Sequence, residues 1–200
     1  MTEAAWDRAR AAEAAAREQL AAVPSWLWDG TTLPVPVETL ADSHYGLFVE
    51  EAPDLRSRLG VDGQAHLSGL LLPAERLIMV DAEEAGRAPG RRRFTITHEL
   101  GHWVMHCSAA SVEPVYCRDL SVREDPAPQG TEPGEATVLL DYPLPELEAN
   151  QFAAAVLMPR ELLLAQPRPT TVDEEYDLAR VFGVSREALR RGLWSLDQGL

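Results

Sequence analysis

Residues 97–102 read THELGH. A helix turns by about 100° per residue, so positions four apart stack on one face. The surrounding stretch, from about Arg92 to Cys107, reads as one long helix, with Phe94, Leu100, Trp103 and Val104 on the side opposite the histidines. His98 and His102 then point the same way, one turn apart, and can bind one ion. Glu99 stands one step round the helix, where it can reach a water at that ion without displacing a ligand. Zinc lowers the pKa of such a water to about 7, and a carboxylate beside it takes the proton as general base. His-Glu-x-x-His on a helix is therefore a zinc-peptidase motif with a mechanism. The competing reading is an ordinary helix that carries two histidines by chance. The context argues for the metal: the motif lies inside a helix, follows a strand, and has Gly101 where a strand or substrate must approach closely.

A catalytic zinc takes three protein ligands and a water. His106 shares the face of His98 and His102, but lies eight residues from His98, about 12 Å along the axis. Zinc–nitrogen bonds are about 2 Å, so one ion cannot span that distance. His106 reads instead as a residue behind the ligands, a substrate contact or a half-buried side chain. Cys107 lies about 90° off the histidine face, which points it into the core. The third ligand is sought in PELEANQFAAAVLMP, residues 145–159. Glu146 has Asn150 four residues on, so Glu146 can ligate while Asn150 holds the far nitrogen of a ligand histidine. Glu148 is turned about 200° away and has Phe152 at i+4. This favours Glu146 over Glu148. The bland reading of both is a pair of carboxylates at a helix N-terminus.

Outward from these motifs, residues 3–22 are rich in the helix formers Ala, Glu and Arg, and Pro24 closes them. A short helical piece from Val37 to Ser43 ends at Gly46, and Leu47–Glu50 reads as a strand. Residues 66–81, HLSGLLLPAERLIMVD, read as two strands around a Pro73–Glu75 turn. EEAGRAPGRR follows as a polar stretch. Periodicity is lost between Ala109 and Asp141, and PAPQGTEPGE within it reads as a surface loop. The second strong helix runs from about Pro145 to Met158; Pro159 stops it, because a residue before proline avoids the α region. The end of the chain reads as two helices around Gly183. Residues 1–165 are expected to form the main domain and residues 170–200 a helical, helix-turn-helix-like subdomain.

Of 200 residues, 18 are basic and 32 acidic, a net charge of −14, and every basic residue is arginine. So acidic a chain repels phosphate backbones and anionic lipid and leaves basic proteins as clients. Arg186, Arg190 and Arg191 are too few, among acidic flanks, to give the tail a DNA-binding face. No run approaches the roughly 18 apolar residues of a membrane span. The first residues, MTEAAWDRARAAEAAAREQL, lack the apolar core of a signal peptide. With two cysteines, Cys107 and Cys117, the chain is no disulfide scaffold. A cytoplasmic protein is expected.

RRRFTITHELGHWVMH resembles the active-site helix of the ImmA/IrrE metallopeptidases, including the Arg-Phe lead-in and the closing histidine. EANQFAAAVLMP is similar to that family's second hallmark, carried here by Glu146, Ala149, Asn150, Phe152, Ala153, Leu157, Met158 and Pro159. PVPVETLADSHYGLFV and SGLLLPAERLIMVD resemble its first helix and strands, so the likeness covers roughly residues 35–160. It implies an α+β fold, a small β-sheet packed on a thermolysin-like zincin helix pair with a helical C-terminal tail. It implies zinc on His98, His102 and Glu146, with Glu99 as base. It further implies a cytoplasmic, site-specific endopeptidase whose clients are helix-turn-helix repressors of mobile-element or stress genes. Asp81 departs from the family, standing where Asn is common, and the loop before Asp141 is longer than the family leads one to expect. His106, Tyr116, Tyr142 and the Arg91–Arg93 cluster are candidates for the donor that steadies the reacting carbonyl oxygen. The alternative is a non-enzymatic metal-binding regulator, or a toxin–antitoxin component, that acts through protein or DNA binding.

Overall fold

The computed structural model describes residues 3–53, 55, 67–107, 115–118 and 144–197, with backbone alone for 3–5 and 115–118. It is an α+β fold in which a small mixed sheet lies beside a layer of helices. Helix α1 spans Glu3–Ala22, and the short α2, Val37–Thr39, runs on into a π-helical turn over Leu40–His44. Strands β1 (Phe48–Ala52), β2 (Leu67–Leu72) and β3 (Leu77–Asp81) follow. Next come α3 (Ala82–Arg87), α4 (Pro89–Met105), β4 (Val115–Arg118) and α5 (Leu144–Leu157). The chain continues through α6 (Arg160–Leu164), α7 (Val172–Phe182) and α8 (Arg186–Asp197).

The strands lie in the order β1-β3-β2-β4. β1 runs parallel to β3, with Phe48 opposite Leu77, and β2 is antiparallel to both β3 and β4. β2 and β3 are the central strands and read as near-continuous apolar runs, as strands covered on both faces must. The edge strand β1 exposes Phe48, Glu50 and Glu51, and charge on an edge discourages pairing with another chain. Side chains alternate across the sheet. Leu71, Ile78 and Val80 face the helices and join the main core, while Leu70 and Met79 pack with Ala52, Leu55 and Leu67 on the far face.

α4 crosses the sheet and packs on α5, and α1 packs on α5 from outside. The buried stripe of α1 is Ala9, Ala12 and Ala16, so its backbone lies close to α5. The tail shares this core: Leu178, Ala179, Phe182 and Leu189 belong to the same buried cluster as Ile96, Leu100 and Phe152. Gly183, at φ 64°, ends α7 in the left-handed conformation that glycine adopts without strain. A Thr171–Glu174 capping box starts that helix.

Two local readings change. The polar stretch after Asp81 starts as the helix α3, with Asp81 Oδ1 accepting from the Glu84 N–H as its N-cap. Asp and Asn cap about equally well, so the departure at Asp81 is chemically small. The aperiodic region from 109 contains β4, too short at four residues to show a period. The segment PAPQGTEPGE lies outside the described residues.

Candidate metal centre

Sequence places His98 and His102 one turn apart on α4, and folding buries both almost completely. What brings the third group to them is a glycine. A Cβ on Gly101 would stand 3.1 Å from Ala149 Cα and 3.2 Å from its carbonyl oxygen. Without it, α4 and α5 approach backbone to backbone, and Glu146, one turn before Ala149, reaches the histidines. The close partner of Gly101 is thus a helix, rather than the strand or substrate expected from sequence.

His98 Nε2 and His102 Nε2 are 3.0 Å apart. Glu146 Oε2 lies 3.2 Å from the first and Oε1 3.3 Å from the second. A tetrahedral ion with bonds of about 2.0–2.1 Å has ligand atoms about 3.3 Å apart. The three groups therefore fit around one ion, and two imidazoles with a carboxylate suit zinc. Among the described residues, this is the group of three donors that could hold a metal, its atoms within 4.8 Å of one another. Burial pushes the Glu146 carboxyl up, but hydrogen bonds from His102 and His98, and their charge, hold it at about 2.

The orientation of His98 is set from behind. Its Nδ1 lies 2.9 Å from Asn150 Oδ1. An amide oxygen only accepts, so Nδ1 carries the hydrogen, and Nε2 is the nitrogen that would offer a lone pair to an ion. Asn150 is thus where the i+4 argument from Glu146 puts it. Glu148 is elsewhere: it accepts from His106 Nε2 at 2.8 Å and from Arg8 Nη1 at 2.7 Å. Burial raises its carboxyl, and these two bonds bring it below the ordinary range. His106 ends α4 and lies against His102, Nδ1 to Nδ1 at 3.0 Å.

Glu99 is fully buried on α4, turned to the sheet. Gly69 makes its place: a Cβ there would lie 2.9 Å from Glu99 Oε1 and would overlap Thr95. A glycine inside a strand is a signal of close approach, and this one was legible but unread. The Arg8 contact carried no sequence signal at all.

The arginine cluster is engaged with partners away from the three donors. Arg91 pairs with Glu84, Arg92 bridges Glu38 and Glu51, and Arg93 donates to the carbonyls of Val35 and Gly183. These bonds tie α4 to α2, α3, β1 and the tail. Tyr116 lies on β4 opposite Leu70, and Tyr142 is outside the described residues. Cys107 is half-buried against the core, less enclosed than its helix position suggests.

The family model described as Peptidase_M78, IrrE N-terminal-like domain, matches residues 127–193. That span holds Glu146, Glu148 and Asn150 and runs through α6 and α7 into α8, and it begins after the THELGH helix. No curated protein matches the chain.

Proposed function

We propose that this chain, whose ImmA/IrrE kinship the match over residues 127–193 supports, is a zinc-dependent endopeptidase. One observation carries the reading. His98, His102 and Glu146 converge from two helices on one point, and Glu99, the residue after His98 on α4, is buried. α4 and α5 then correspond to the helix pair of a thermolysin-like, gluzincin-type peptidase. Zinc bound there supplies Lewis-acid polarisation of a peptide carbonyl and acidifies water. Glu99 accepts the proton of the attacking water on a carboxylate oxygen. It passes the proton to the amine nitrogen as the C–N bond breaks. Asn150 keeps His98 in the tautomer that can ligate.

The client is a protein, and a basic helix-turn-helix repressor suits it best. The chain carries a net charge of −14, which draws basic partners and repels nucleic acid. The tail's arginines are matched within the tail: Arg186 and Arg190 face Glu175, Arg191 pairs with Glu187, and Arg180 with Asp177. That disfavours direct DNA binding. Among the described residues no helix is long and apolar enough to cross a membrane, and a cytoplasmic site of action accords with this.

The test compares new protein N-termini, by mass spectrometry, in cells expressing wild type or Glu99→Gln. One or a few cleavages that depend on the wild type, in a repressor, are expected. No difference between two folded, zinc-loaded proteins would favour the metal-bound regulator instead.

A further inference from the structure

We infer that Arg8, Glu148 and His106 form a positioning chain that fixes the second metal-binding histidine, His102, from behind. The inference rests on the metal reading above. The hydrogen-bond directions follow from which atoms can donate. Glu148, paired with Arg8 at 2.7 Å, is a carboxylate and only accepts. His106 Nε2, 2.8 Å away, therefore carries the hydrogen. His106, with its hydrogen on Nε2, then presents a lone pair at Nδ1. It faces His102 Nδ1 at 3.0 Å, so His102 donates from Nδ1. His102 Nε2 is then the nitrogen that would offer its lone pair to an ion shared with His98 and Glu146. Both histidines thus hold hydrogen on Nδ1, His98 through Asn150 and His102 through His106 and Glu148.

The chain recruits an element remote in sequence. Arg8 lies on α1, 140 positions from Glu148 and outside the span that matches the family model. Glu148 is nearly buried, His106 is 20% exposed at its side chain and Arg8 48%. The influence of each residue should fall outward along the chain, from His106 to Glu148 to Arg8, because solvent screens the exposed outer pair.

The experiment is a zinc competition titration on the full chain. His106→Leu should bind zinc about 10- to 100-fold more weakly than wild type, the range for losing a partner behind a ligand. His106→Gln, which can still offer a carbonyl oxygen to the His102 Nδ1–H, should recover most of the affinity. Arg8→Ala should weaken binding about fivefold at most. It should add nothing in a Glu148→Gln background, since both act through one path. Folded His106→Leu that binds zinc as tightly as wild type overturns the chain and leaves the metal reading intact. Failure of wild type to bind zinc at all overturns the metal reading. The chain then still stands or falls on a 15N–15N coupling across the His102–His106 hydrogen bond: its presence supports the inference and its absence overturns it.

Discussion

At the level of single residues, the site is decided by which of two neighbouring carboxylates turns inward. Glu146 and Glu148 are two positions apart on α5, about 200° round the helix. Glu146 meets His98 and His102; Glu148 meets His106 and Arg8. The i+4 relation of Glu146 to Asn150 made this readable from sequence, since ligand and supporting amide must share a face. The role of Glu148 was not readable, because its partners come from α1 and the end of α4. Glu146 also sets a pH dependence. Its carboxyl is depressed from 4.5 to about 2. A depressed acid stabilises the fold above its ordinary value and loses that contribution as pH falls toward the folded one. Chelator-treated wild type should therefore lose stability between about pH 4.5 and pH 2 that Glu146→Gln does not lose. Urea midpoints measured across that range check this; parallel curves would show that Glu146 is not held by the histidines.

Between elements, two glycines set the distances. Gly101 lets α4 touch α5, and Gly69 lets β2 pass beside Glu99 and Thr95. Gly101→Ala gains up to about 1 kcal/mol of helix propensity. Its new methyl, however, meets the Ala149 backbone at 3.1–3.2 Å, and crowding a packed core costs about 1–3 kcal/mol. The expected outcome is a net loss of stability together with weaker zinc binding, because Glu146 rides on the helix that is pushed away. Thermal melts and zinc titration of the one variant measure both; unchanged zinc affinity would show that α5 is not the positioning element. α4 and α5 were legible because long amphipathic helices carry a strong period. β4 and α3 were missed for different reasons: one is four residues long, and the other is a six-residue helix whose cap, Asp81, is the last residue of a strand. Gly101 was flagged as a close approach, but only the packing shows that a helix is what approaches.

Across the whole molecule, one core joins the sheet, the metal-centre helices and the tail, with Leu178, Phe182 and Leu189 beside Ile96 and Leu100. Arg93 fastens that union, donating from α4 to the carbonyls of Val35 and Gly183. The tail's two helices were legible from Gly183 between them. Its burial was not, since apolar residues on a short helix do not say what covers them. The acidity of the chain, evident from composition, is carried on a surface where many arginines are already paired. All of this serves to hold three donor atoms at one point, and the zinc content of purified protein tests that most directly. One zinc per chain is expected for wild type and for Glu99→Gln, and none for His98→Ala. A wild type without zinc, or a folded His98→Ala that keeps it, would contradict the centre described here.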